Sequence, residues 1–280
     1  MRPLKCGLIG CGEIGKDLAR LLVRSPIFSE IAVIDSERAE IEVGKIAEGF
    51  HFLPSVNIYA GDYCDLADAH VTVITEAIGF ENVIRRLHRA ATNSTLLIAT
   101  EPYDKLVTLS WQAFGRSPER LLGVGTFADS SRLEFLISNH LGVSRRDVRA
   151  PILGGRGKFA VCPWEYASVG GIPLLRYFDL CGDGYDKNMP LEFLSEICAR
   201  KDHSPFHSAL AAYKLLSALF SNGERIITAS VPLLGAYGIE GVAMSLPCAV
   251  GFGGVRRTLE IPLCREDEEK LCRYATKLLG

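Results

Sequence analysis

A chain of 280 residues that is 48% hydrophobic and 23% charged is expected to form one large globular domain or two smaller ones, which excludes disorder, collagen and coiled coil. With 31 basic against 33 acidic residues the formal net charge is −2, so the positive field that holds a phosphate backbone is missing and nucleic acid is not an expected partner. No stretch reaches the roughly 20 apolar residues of a membrane helix, so no membrane partner is expected. The nine cysteines include no C-x-x-C pair and read as reduced thiols of a cytoplasmic protein, with no metal site.

Over residues 1–125, short apolar runs alternate with helical stretches, the pattern of a parallel sheet covered by helices. The predicted strands are Leu4–Ile9, Glu30–Ile34, Asn57–Ala60, Val71–Thr75, Thr95–Thr100 and Leu121–Val124. Between them, Lys16–Val23, Asn82–Ala91 and Lys105–Phe114 carry apolar residues three and four apart, as a helix lying on a sheet requires. Beyond Thr126 the rhythm changes. A helix is predicted from about Ala128 to His140, then glycine-rich segments at Gly154–Gly157 and Gly170–Gly171, then a long helical stretch between Pro190 and Ser221. Runs at Arg225–Leu233, Met244–Val250 and Arg256–Ile261 read as strands, and Arg265–Leu279 as a last helix. The fold class implied is α/β: a Rossmann-type doubly wound sheet over 1–125, followed by an α+β domain over 126–280.

Gly10-Cys11-Gly12-Glu13-Ile14-Gly15 is a G-x-G-x-x-G between a predicted strand and a predicted helix, and Asp35 ends the next strand 20 residues later. The first glycine permits a tight turn, the second lets backbone N–H groups approach a diphosphate at the helix N-terminus, and the third allows close helix–strand contact. Asp35 would accept ribose hydroxyls and repel a 2′-phosphate, so NAD is the expected cofactor. Gly10, Gly12, Glu13, Ile14, Gly15, Asp35, Thr75 and Ala77 are the expected cofactor residues. The alternative is a glycine-rich turn that binds nothing. Glu76 stands out, because a carboxylate near the diphosphate crevice costs affinity.

Downstream, Gly123-Val-Gly-Thr-Phe-Ala-Asp129-Ser-Ser-Arg132-Leu resembles the G-x-G-T-x-L-D-S-x-R segment of the L-lactate/malate dehydrogenase family. Gly154-Gly-Arg156-Gly with Pro163-Trp164 and Gly170-Gly171-Ile-Pro173-Leu174 is similar to that family's G-E-H-G, P-V-W and G-G-x-P-L block. Leu246-Pro247-Cys248 through Leu263 is similar to its C-terminal block, so the resemblance spans nearly the whole chain. It implies that Asp129 matches the aspartate that orients the catalytic histidine and that Arg132 binds a substrate carboxylate. It implies too that Ser204 lines the substrate pocket, and that the protein is a homodimer or homotetramer.

Three positions depart from the family. The catalytic histidine is replaced by Arg156, which cannot exchange a proton near neutral pH. The mobile loop after the fourth strand is deleted, since Thr75 leads almost directly into the next helix. The family's N-P-V-D is Glu101-Pro102-Tyr103-Asp104. Asp129, Arg156 and Glu101 are therefore the expected catalytic cluster, with an Asp129–Arg156 ion pair in place of the histidine–aspartate pair. Arg85, Arg86 and Arg89 read as a solvated helix face. The arginine pair and the kept cofactor frame favour an atypical NAD-dependent oxidoreductase acting on a CH–OH group of a small carboxylate, with Glu101, His203, His207 or water moving the proton; the alternative is a pseudoenzyme that binds NAD(H) or a metabolite as sensor or partner subunit.

Overall fold

The computed structural model describes residues 4–90, 93–181, 188–200 and 204–280. Six parallel strands, Lys5–Ile9 (β1), Glu30–Ile34 (β2), Asn57–Ala60 (β3), Val71–Ile74 (β4), Thr95–Ile98 (β5) and Leu121–Gly123 (β6), lie in the order β3-β2-β1-β4-β5-β6. Every residue of β1, β4, β5 and β6 is buried, as expected of strands covered on both faces. The cover comes from helices Glu13–Leu22 (α1), Glu37–Ala47 (α2), Phe80–Ala90 (α3) and Tyr103–Gln112 (α4). Leu18 and Leu22 on α1, and Phe80, Ile84 and Leu87 on α3, turn a stripe at helical spacing onto the sheet. The chain reverses direction across the sheet between β1 and β4, so their C-terminal ends form the crevice in which open α/β sheets bind ligands.

The remaining chain contains helix Phe127–Leu141 (α5) and short strands Val148–Arg149 (β7), Leu153–Gly154 (β8), Ala160–Val161 (β9), Ser168–Val169 (β10) and Ile172–Pro173 (β11). Helices Leu174–Cys181 (α6), Met189–Ala199 (α7) and Pro205–Leu219 (α8) follow, then the long antiparallel pair Arg225–Leu234 (β12) and Glu240–Gly251 (β13), strand Gly254–Thr258 (β14) and helix Arg265–Leu279 (α9). Ser230 of β12 pairs with Gly123 of β6, so the parallel sheet continues without a break into the antiparallel one.

Predicted strands and helices lie within four residues of the observed ends, the largest offset being at the start of β13, with three further differences. Helix α2 escapes the periodicity search because Ala39, Glu42 and Ile46 form its buried face while Ile41 faces solvent. The single stretch over 190–221 is two helices: α7 ends at Ala199 with Arg200 extended, and Pro205 starts α8, whose first turn is capped by Ser204 accepting the His207 N–H at 3.1 Å. The glycine-rich segments hold a small separate sheet, β11-β10-β7, that the pattern did not indicate. No helix among the described residues is long and apolar enough to cross a membrane.

One buried polar group joins the two halves. Asp104 on α4 accepts the Tyr274 hydroxyl of α9 at 2.6 Å and the Ser230 hydroxyl of β12. Burial pushes its carboxyl up to about 6, against the downward pull of both hydroxyls. The folded chain therefore holds a proton there that the unfolded chain releases near 3.8. Its stability contribution is complete below about pH 4 and lost as pH rises through about 6. Asp104→Asn should gain about 2–3 kcal/mol relative to the parent between pH 4 and pH 7, measured by urea denaturation across that range.

Candidate active site

The turn after β1 is built as the glycine motif anticipates. Gly10 sits at φ +96°, open to glycine at little cost, and a Cβ on Gly15 would lie 2.2 Å from the Gly10 carbonyl oxygen, so α1 packs directly on the turn. The Thr75 hydroxyl donates to the carbonyls of Ile9 and Gly10 at 3.1 and 2.9 Å, which commits it to the turn itself. Ile14 packs half-buried against the core, Ala77 against the apolar cluster under α3, and Glu13 pairs with Lys16.

The seat above the second glycine is filled by a side chain. A Cβ on Gly12 would meet Glu76 Oε1 at 2.5 Å, and Glu76 Oε1 is buried without a hydrogen-bond partner among the described residues. The other oxygen, Oε2, accepts Arg38 Nη2 at 3.0 Å. Arg38 in turn pairs with Asp35 at 2.8 Å; its hydrogen bond to Glu76, more than the Asp35 pair, raises an already basic guanidinium. Asp35 is further engaged by the Cys11 N–H at 2.5 Å and the Ser36 N–H at 2.7 Å. A cavity of about 440 Å³ opens beside this chain of charges, bordered by Ile34, Tyr63, Val83 and Arg86. Arg86 is not simply solvated: its guanidinium lies 3.9 Å from the Tyr63 ring centroid and pairs with Asp62. Arg85 and Arg89 are exposed, as the helix pattern indicates.

The second cluster gathers Asp129, Arg156 and Glu101 from three places in the sequence. Asp129 lies in the first turn of α5, Glu101 follows β5, and Arg156 follows β8. Arg156 Nε donates to Asp129 Oδ2 at 2.9 Å and its Nη1 donates to Glu101. Asp129 is buried and Arg156 mostly so, whereas the Glu101 side chain is 38% exposed. Burial alone would lower the Arg156 basicity, but the two carboxylates outweigh it and the group stays cationic. The neighbouring Tyr103 phenol is pushed far above its usual range, first by burial and then by Glu101.

Arg132, also on α5, stands apart from that cluster and pairs with Glu196 of α7 at 2.8 Å. Its Nε is buried without an acceptor among the described residues. Arg132 also borders a cavity of about 600 Å³ whose other polar walls include Arg145, Arg146, Arg149, Glu134 and His207. Ser204 serves as the cap of α8 and is exposed. His203 lies outside the described residues. Sequence reasoning missed Arg38 and Glu196. Arg38 stands three residues after Asp35, a spacing that points to a pair only once α2 is recognised.

A doubly wound sheet with a glycine turn at its crossover, extended by an α+β half that meets it at the polar cluster, has the architecture of the dinucleotide-fold α/β class. The family profile described as lactate/malate dehydrogenase, alpha/beta C-terminal domain, matches residues 126–280. An L-lactate dehydrogenase of Acetivibrio thermocellus is 31% identical over 98% of this chain and 95% of its own length. One from Thermoanaerobacter pseudethanolicus is 30% identical over 94% and 93%. A solved lactate dehydrogenase from a Medee basin deep-sea metagenome library superposes with a TM-score of 0.91 at 28% identity, covering 100% of this chain and 98% of that one. The chain belongs to the lactate/malate dehydrogenase family.

Removing the cation from the second cluster leaves Asp129 buried without its charge partner. Arg156→Ala should therefore destabilise the fold by about 3 kcal/mol, measured by chemical denaturation at pH 7.

Proposed function

We propose that this chain is a catalytically silent member of its family, which binds a small carboxylate at Arg132 without reducing or oxidising it and acts as a sensor or partner subunit. The observation that carries the reading is the Arg156 guanidinium held between Asp129 and Glu101. Reduction of a 2-oxo acid builds negative charge on the former carbonyl oxygen, and that oxygen must receive a proton from a donor whose pKa lies near the working pH. A guanidinium can stabilise the charge but holds its proton far too tightly to deliver it. Glu101 accepts a hydrogen bond from Arg156, and the Tyr103 proton is held more tightly still by burial. His70 accepts the Lys5 N–H through Nδ1, and His140 packs edge-on against Phe193, so neither offers a replacement.

Closure is missing as well. Only five residues, 75–79, separate β4 from α3, too few for a loop that folds over a ligand and excludes water. The carboxylate clamp is better supported. Arg132 places one donor on Glu196 and borders a cavity whose charged walls are four arginines and one glutamate. A planar carboxylate suits such a guanidinium in bidentate fashion.

A second reading, an atypical NAD-dependent oxidoreductase acting on a small 2-hydroxy or 2-oxo acid, draws on His207, which borders the same cavity as Arg132. The two readings part in one experiment. Under the first, the full chain consumes no NADH with a panel of 2-oxo acids, Arg156→His alone restores no turnover, and calorimetry without cofactor shows carboxylate binding that weakens at least about tenfold in Arg132→Ala. NADH consumption by the parent chain, abolished in His207→Ala, would establish the second.

A further inference from the structure

Every feature of the glycine turn suits a dinucleotide except one. In proteins of this fold the diphosphate rests on the N-terminus of the helix that follows the turn, close over the second glycine, because the backbone N–H groups and the helix dipole favour an anion there. In this chain that space, above Gly12 and against α1, holds the Glu76 carboxylate. Three facts fix it there. Its chain passes within 3.0 Å of where a Gly10 Cβ would stand, its Oε1 is buried against Gly12, and its Oε2 is held by Arg38, itself held by Asp35.

We propose that Glu76 is the residue that excludes the diphosphate of NAD(H) from this crevice, an internal carboxylate standing where the ligand's anion would lie. Two effects act together. The carboxylate occupies the volume, and its charge opposes a diphosphate at a distance where a low local dielectric makes the repulsion strong. Swinging Glu76 aside does not relieve the problem cheaply, since the move breaks its pair with Arg38. The acceptor for the ribose hydroxyls is also engaged: the Asp35 carboxylate already takes N–H groups from Cys11 and Ser36 and the Arg38 guanidinium. The borders of the crevice carry three carboxylates, Asp35, Asp62 and Glu76, against two guanidiniums, Arg38 and Arg86, so the site as a whole does not attract a doubly charged anion.

The inference is independent of catalytic silence, which rests on Arg156. Calorimetry with NAD and NADH on the full chain tests it, comparing the parent with Glu76→Ala and Glu76→Gln, and thermal melting verifies that each variant folds. The parent should give no saturable heat up to millimolar cofactor. Glu76→Ala should bind NADH at least about a hundredfold more tightly, and Glu76→Gln, which removes the charge but keeps the bulk, at least about tenfold. Micromolar binding of NADH by the parent would overturn the proposal, as would two well-folded variants that bind no better than it. Parent binding without turnover removes this inference and leaves the proposed function standing, whereas NADH turnover by the parent removes both.

Discussion

The guanidinium of Arg156 joins two carboxylates from opposite halves of the fold, Glu101 at the end of a parallel strand and Asp129 at the start of α5. A buried carboxylate such as Asp129 has a high desolvation cost, and an arginine with donors in a fixed fork can offset it from one side while its other donors reach a second acid. A histidine in the same place would be a weaker, switchable cation. Arg156 therefore forms an electrostatic joint between the strand end that carries Glu101 and the helix start that carries Asp129. Asp104, bonded to Tyr274 and Ser230 a short distance along α4, ties the same halves together with neutral donors.

The crevice beside the glycine turn obeys a similar logic. The N-terminus of α1 presents positive backbone dipole to the space above Gly12, and Glu76 places an acid there. The charge chain Asp35–Arg38–Glu76 runs across the crevice mouth and leaves each acid with a cation. In both sites, groups that a dehydrogenase would direct at ligands are directed at one another. Arg132 is the exception, since its pairing with Glu196 uses only part of its donor set.

The fold was legible where burial and polarity agree. Strands β1, β4 and β5 are mostly apolar runs buried on both faces, and α9 has acids in its first turn and Lys277 in its last, so both kinds of element announce themselves. Helix α2 did not, because Glu42 is buried against Arg20 and Ile41 is exposed, an inversion that tertiary packing imposes and periodicity cannot show. The Asp129–Arg156–Glu101 cluster was legible because each partner fell on a position of a resembled motif. Arg38 and Glu196 were not, since each meets its partner through a helix packing that no motif records. Glu76 could be suspected from its place after β4, but its seat against Gly12 depends on a rotamer.

The glycine fingerprint is the instructive case, because its residues have structural work that needs no ligand. Gly10 adopts a positive φ, Gly15 lets α1 approach the Gly10 carbonyl, Thr75 bonds the carbonyls of that turn, and Asp35 holds the Cys11 N–H. Replacing any of them strains the β1–α1 junction whether or not a cofactor binds. The motif thus reports a way of packing a helix on a strand, and the ligand preference is written elsewhere, in whatever side chain follows β4 and faces the second glycine. A small neutral residue there would leave the helix N-terminus open to an external anion. In this chain a glutamate stands there, its Oε1 against Gly12, so the helix N-terminus faces an internal carboxylate.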